Sequence, residues 1–228
     1  MADQLFQEWQ VYQKLVTHDY MDHSTFFSRL AREISSRFKH PVSILDLGCG
    51  DLTPVRSLLA AVPIAQYVGI DESVVALKIA RAYMEKEGIA GQLVEGDMRD
   101  ALQTQAGRFD VIIASFSLHH LADPTDKQVV FTNCARLLSE GGMLAVIDVF
   151  TNVSEPRDEY IERWIRHADD HYIDLGSAEK KLLFDHVRAR DFPVSLEQCK
   201  NLGKAAGLPN FKLLHEDAPR LNRLVTLF

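Results

Sequence analysis

Apolar positions along this chain change their period several times, and each change marks an element. Leu5, Trp9, Tyr12 and Val16 recur at helical spacing, and Phe27, Leu30, Ile34 and Phe38 do so again behind a capping Ser24, which predicts two helices in the first forty residues. From Ser43 onward the pattern alternates. Short apolar runs at 43–47, 66–71, 91–95, 110–115 and 143–149 predict strands, and helical stretches at 54–62, 73–87 and 126–139 lie between them. Such alternation specifies an α/β fold with a parallel sheet and right-handed crossovers. Gly88 closes one helix, and Gly141-Gly142 ends another just before the last parallel strand. Residues 151–194 interrupt the pattern with a mostly helical insert. Ser195 and Gln198 then make a capping box for a helix that Gly207 ends, and the segments FKLLHED and RLNRLVTLF alternate as an antiparallel pair does. The chain thus divides into a helical segment 1–40, a core 41–150, an insert 151–194 and a closing helix and hairpin 195–228.

The segment ILDLGCGDLTP, Ile44 to Pro54, carries the most chemical information. A strand of Ile44, Leu45 and Leu47 ends in a turn where Gly48 and Gly50 let the backbone bend sharply and approach a ligand, and Thr53 is placed to cap a helix begun by Pro54. Strand, glycine turn and helix start form a cradle for a nucleoside-bearing cofactor at the carboxyl edge of a parallel sheet. Asp71 ends the next strand, 25 residues after Asp46, near the spacing at which an acid grips ribose hydroxyls. Asp97-Met98 ends the third, where a carboxylate can accept from an adenine amino group. A dinucleotide fingerprint would need a third glycine where Thr53 stands, to pack beside a pyrophosphate. Taken singly these features are ambiguous: a glycine turn can be punctuation, Asp71 can open a helix, and Asp97 can sit in a turn. Their joint order and spacing point to a cofactor without a pyrophosphate.

From Pro41 to Phe150 the chain resembles the class I S-adenosylmethionine-dependent methyltransferases, through Asp46, Gly48 and Gly50 and the acids that follow; Leu52 departs from the family's third alternate glycine. The resemblance implies a Rossmann-like fold, a mostly parallel seven-stranded sheet ending in an antiparallel hairpin with helices on both faces. It implies S-adenosyl-L-methionine as cofactor. Asp46, Gly48, Cys49 and Gly50 would face its methionine part, Asp71 with Glu72 its ribose, and Asp97 with Met98 its adenine, with Ser115 at the adjoining strand tip. By the same resemblance, segment 1–40 would be a lid and the insert a cap over the substrate.

Composition narrows the partners. A formal charge of −7 in 228 residues does not advertise the basic face that a nucleic-acid substrate requires. There is no apolar run near the roughly 18 residues of a membrane span, and the opening MADQLFQEWQ lacks signal-peptide regions, so a cytoplasmic protein that binds no membrane is expected. Cys49, Cys134 and Cys199 show no disulfide or metal spacing, and reduced thiols are expected. A homodimer is compatible with all of this.

Methyl transfer from a sulfonium is an in-line displacement, so the protein must align two reactants and exclude water, and no covalent nucleophile is needed. The fourth strand leads into SFSLHHLAD, where His119 or His120 can take a proton from the acceptor or can simply support a short helix. In THDYMDHSTFF, a lid would present Tyr20 and His23 to the site; His18, Asp19 and His23 hint at metal ligands, but no second cluster completes a set and no metal is expected. The insert mixes Glu155, Asp158, Glu159 and Glu162 with Arg157, Arg163 and Arg166, leaving open a cationic or a carboxylate-bearing substrate, and places Tyr160 and Trp164 on one helix face as a buried stripe. The expected activity is methylation of a nitrogen or oxygen of a small metabolite. The alternatives are a protein or RNA methyltransferase, or a noncatalytic adenosyl-binding activator subunit.

Overall fold

The computed structural model describes residues 2–228, with side chains from Gln10 onward. Two helices come first, α1 (Ala2–Thr17) and α2 (His23–Arg37). Leu5 and Trp9 fall on α1, but their side chains lie outside the described residues. The alternation follows as β1 (Val42–Leu47), α3 (Arg56–Ala61), β2 (Ile64–Asp71), α4 (Val74–Glu87), β3 (Gly91–Glu95), α5 (Met98–Thr104), β4 (Phe109–Ser115), a single 3₁₀ turn at Leu118–His120, α6 (Pro124–Leu137) and β5 (Leu138–Thr151). The insert contributes α7 (Arg157–His171) and α8 (Ser177–Arg190), and the chain closes with β6 (Val194–Ser195), α9 (Leu196–Ala205), β7 (Phe211–Glu216) and β8 (Asn222–Leu227).

The sheet runs β3-β2-β1-β4-β5-β8-β7, with the two-residue β6 paired to β5 off this path. Strands β1 to β5 pair in parallel, whereas β8 is antiparallel to both β5 and β7, as the alternating C-terminal segments require. The order reverses at β1, whose neighbours are β2 and β4. This is the switch point where open α/β sheets leave a crevice beyond the strand ends. In register, Asp46 lies beside Gly69, Leu47 beside Ile70, and Asp71 beside Glu95, so the first three tips stand side by side.

Ile44, Leu45 and Leu47 are fully buried because β1 is covered on both faces, one by α2, α3 and α4 and the other by α5, α6 and α9. Each such side chain contributes about 1.5–3 kcal/mol relative to exposure. Phe26, Phe27, Leu30 and Ile34 place α2 within the sheet's own core. A third cluster, with Val11 and Leu15 of α1 against Tyr160, Trp164, Tyr172 and Val187, joins the first helix to the insert.

Local capping differs from the sequence reading in three places. Ser24 does not cap α2; Asp22 occupies the cap position without a side-chain bond, and Asp19 accepts the Ser24 N–H and hydroxyl. Thr53 does not cap α3, because its N–H and hydroxyl are both given to Asp51. The helix α5 was not foreseen; Asp97 caps it by accepting the Arg99 N–H at 2.7 Å. The Ser195–Gln198 capping box and the Ser73 cap of α4 are present.

Candidate active site

The chain leaves β1 through Gly48 at φ +71° and Gly50 at φ +55°, left-handed values that suit glycine. Gly48 has a second reason to lack a side chain: a Cβ there would stand 2.6 Å from Ser117 Cβ. Ser117, which the sequence reading passed over, donates its hydroxyl to the Leu47 carbonyl at 2.8 Å and stitches the β4 exit loop to the turn. The Gly50 N–H donates to Asp71 Oδ2 at 2.8 Å, and Asp71 Oδ1 accepts the Ser73 N–H at 2.8 Å. Burial raises the Asp71 pKa, and these two donors only partly offset it.

Beneath the turn, Asp46 is buried with Oδ2 accepting the Tyr67 hydroxyl at 2.7 Å, while Oδ1 has no partner among the described residues. Burial pushes its pKa up to about 7, against the pull of the Tyr67 bond. Cys49 is buried, and burial followed by the Asp46 and Asp71 charges raises its thiol pKa, so it fills space as an inert thiol. All three cysteines are free.

The turn also holds α1. Asp51, 2% exposed, accepts the Gln13 side-chain amide at 2.9 Å on Oδ2. The neighbouring Tyr12 hydroxyl reaches within 4.0 Å of where a Gly50 Cβ would lie. The sequence places Tyr12 only on a helical stripe and gives Asp51 no role, because nothing local distinguishes a contact between α1 and the turn from core packing.

In front of these tips lies a cavity of about 1050 Å³. Its lining comes from Asp71, Glu72 and the apolar Val74 and Val75 after β2, from Tyr12 and Leu15 of α1, and from Trp164 and Leu183 of the insert. His119, His120, His186 and Asp191 line the same space. His119 is buried; its Nδ1 is hydrogen-bonded to Asp148, and its backbone N–H donates to the same carboxylate at 3.1 Å. Burial opposes the His119 charge, but Asp148 and then Asp191 overcome it and raise its pKa. His120 is exposed to the cavity, with its ring 4.0 Å from that of His119 and 5.6 Å from that of His186. Enclosure and then the adjacent His119 charge lower its pKa.

Of the residues expected at the cofactor, Asp46, Gly48, Cys49, Gly50, Asp71 and Glu72 converge on the β1 and β2 tips. Asp97 stands at the adjacent β3 tip, but its carboxylate is held by the Arg99 guanidinium, which lowers its pKa and also grips Asp126 at 2.6 Å. Met98 packs against the core and Ser115 ends β4; neither lines the cavity, where Phe116 stands instead.

Neither Tyr20 nor His23 of the N-terminal link lines the cavity in this structure. Tyr20 stacks on Tyr172 at 4.4 Å between centroids and bonds to Asp174 on the insert, outside the cavity wall. His23 is 3% exposed, lies edge-on to Phe116 at 4.9 Å, and does not reach the cavity. His18 turns to Asp174 at 3.2 Å, so it does not join Asp19 and His23 around an ion. Several of the insert's charges are paired within it: Arg163 meets Glu155 at 2.7 Å and Arg188 meets Glu162 at 3.0 Å, while Arg157 donates to the Asp191 and Arg188 carbonyls. Tyr160 and Trp164 are the buried stripe that the spacing predicts, with Trp164 also edging the cavity.

Comparison with known proteins bears on the family and the fold. Residues 44–142 match the family model described as a methyltransferase domain. A trans-aconitate 2-methyltransferase from Acidovorax sp. (strain JS42) is 31% identical over 163 residues, covering 67% of this chain and 59% of that protein. A ubiquinone biosynthesis O-methyltransferase from Pectobacterium carotovorum is 29% identical over 155 residues, covering 60% of this chain and 63% of its own length. The chain therefore spans about three fifths of the length of these two relatives. Among solved structures, an S-adenosylmethionine-dependent methyltransferase from Clostridium acetobutylicum superposes with a TM-score of 0.66 at 13% identity, covering 96% of both chains, and so shares the fold.

Proposed function

We propose, for a chain that belongs to the class I S-adenosylmethionine-dependent methyltransferases, that it methylates a nitrogen or oxygen of a small metabolite held in the cavity. The observation that carries this reading is that one cavity is lined both by Asp71 at the β2 tip and by His119, His120 and Asp191.

The residues present fit the cofactor. The turn at Gly48 and Gly50 is bare, with no room for a Cβ at Gly48. Asp46 keeps a buried carboxylate oxygen without a donor, which suits a cationic group beside the turn. Asp71 and Glu72 are placed for ribose hydroxyls, and the exposed Val74 and Val75 offer an apolar surface to a base. Asp97 reads adenine only if it shares an oxygen now given to Arg99. When bound, the cofactor supplies an electrophilic methyl on sulfur. The chain's own part is to align the acceptor with that methyl and exclude water, through α1 and the insert. The acceptor's nucleophilic atom would lie beside the His119, His120 and Asp191 cluster, which lines the same cavity.

The printed names of the relatives refer to different small metabolites, which supports the class of acceptor and leaves its identity open. Coverage of the cavity by side chains of α1 and the insert favours a small acceptor over a polymer. No helix among the described residues is long and apolar enough to cross a membrane. Incubation with methyl-labelled cofactor and a metabolite extract is the test. Labelled small products are expected; labelled protein or RNA would replace this reading with a macromolecular one, and cofactor binding without any labelled product would replace it with an activator subunit.

A further inference from the structure

We propose that His119, His120 and Asp191 bind one divalent transition-metal ion of the zinc class at the acceptor end of the cavity. The ion's use rests on the methyl-transfer reading, but its binding does not. The ligand atoms of these three residues lie within 4.8 Å of one another. His119 Nε2 is 3.7 Å and His120 Nδ1 3.8 Å from the same atom, Asp191 Oδ1. These separations are too long for hydrogen bonds. They lie at or just beyond the roughly 3.4–3.7 Å between ligands that each stand about 2.1 Å from an ion at tetrahedral to trigonal angles, so the ligands draw in by a small side-chain adjustment on binding.

Asp191 supplies the second, independent observation. It is 5% exposed and lines the cavity, yet its Oδ1 has no hydrogen-bond partner. A buried carboxylate oxygen without a donor is expensive, and a cation is the partner that the two imidazoles beside it are equipped to share. The arrangement around His119 has the same sense. Asp148 holds Nδ1 and so leaves Nε2 as the free donor aimed toward Asp191, the orientation that a carboxylate imposes on a metal-binding histidine. Asp148 is itself fixed, accepting the His119 and Val149 N–H groups at 3.1 and 2.8 Å. The two ligand-bearing segments are tied together by the Phe192 N–H, which donates to the His119 carbonyl at 2.7 Å. Ligation through His120 Nδ1 displaces its 3.3 Å contact with the Arg190 carbonyl.

Two imidazoles and one carboxylate select zinc, cobalt or ferrous iron over magnesium or calcium. Three protein ligands leave at least one position open, and here it faces the cavity, as in sites where a small molecule completes the shell. A hydroxyl oxygen of the methyl acceptor is the group that would take it, the ion lowering its pKa so that it gives its proton to water in the cavity before the methyl arrives, which makes an oxygen acceptor the favoured class.

The test is titration of the chelator-treated full-length protein with Co²⁺, read by visible absorption, with Zn²⁺ as competitor. One Co²⁺ per chain is expected, and D191N and H120A should each weaken it by about tenfold or more. Circular dichroism checks their fold, and His120, being exposed, keeps the test alive should D191N unfold. Failure of wild-type protein to take up Co²⁺ at about 100 μM would overturn the proposal, as would unchanged uptake by folded H120A. Calorimetry with S-adenosylhomocysteine separates the two readings. Its binding without Co²⁺ uptake removes the metal and leaves methyl transfer standing, whereas Co²⁺ uptake without it does the reverse.

Discussion

Gln13 on the first helix donates its side-chain amide to Asp51 on the glycine turn at 2.9 Å, and this bond fastens α1 across the mouth of the cavity. Asp51 keeps its Thr53 donors without Gln13, so the turn itself should survive loss of the amide. Gln13→Ala is therefore expected to loosen the lid and weaken S-adenosylhomocysteine binding by about 0.5–1.5 kcal/mol, the ordinary net value of such a bond. Calorimetry measures it. An unchanged dissociation constant would mean that α1 closes through its packing with α7 and α8 alone.

Asp71 has a larger share. Its carboxylate orients both the Gly50 and Ser73 N–H groups and faces the cavity where ribose hydroxyls would lie. Asp71→Ala should cost about 1.5–3 kcal/mol in S-adenosylhomocysteine affinity, the range for hydrogen bonds to a charged group. Retained affinity in a folded variant would remove Asp71 from the site.

These two residues show where a sequence is legible and where it is not. Asp71, Gly48 and Gly50 were readable because strand tip, turn and helix start are contiguous, and the left-handed backbone leaves its mark as glycine. The hairpin and the Ser195 capping box were readable for the same reason, since each is a pattern of near neighbours. The α5 helix was missed because it is short and lies in a stretch with no clear apolar period. Tyr20 and His23 looked chemical in the chain, but the latch to Asp174 and the packing against Phe116 are contacts across long sequence separations. Asp191 lay hidden at the exit of the insert, and only the return of α8 to the sheet brings it to His119. Lone charges become informative when the fold shows which of them lack partners.

Gly48 is expected to tolerate no side chain. A methyl there meets Ser117 Cβ at 2.6 Å and must also hold φ +71°. Gly48→Ala should lower stability by about 2–4 kcal/mol, combining overpacking with left-handed strain. Adding Ser117→Gly should return part of that loss by removing the clash while leaving the strain. Because Ser117→Gly also removes the bond to the Leu47 carbonyl, urea unfolding of both single variants and the double measures it, and strictly additive losses would place the cost of Gly48→Ala in the backbone alone.

His23 sets a pH dependence of stability. It is 3% exposed, and burial depresses its pKa to about 4 even though Asp19 and Asp22 pull the other way. An unfolded histidine titrates near 6.5. Above that pH both states are neutral and stability is fully present. Between about 6.5 and 4 the unfolded chain takes up a proton that the folded chain refuses, so stability falls as pH falls. At pH 4.5 the loss amounts to about 2.5 kcal/mol relative to pH 7, on 1.36 kcal/mol per unit of pKa difference. Carboxylates elsewhere titrate in the same range, so the comparison is with His23→Leu, which keeps the apolar contact with Phe116. The variant should lose less stability on acidification by about that amount in urea unfolding at the two pH values. Equal losses in both proteins would show that His23 already carries a proton in the folded state.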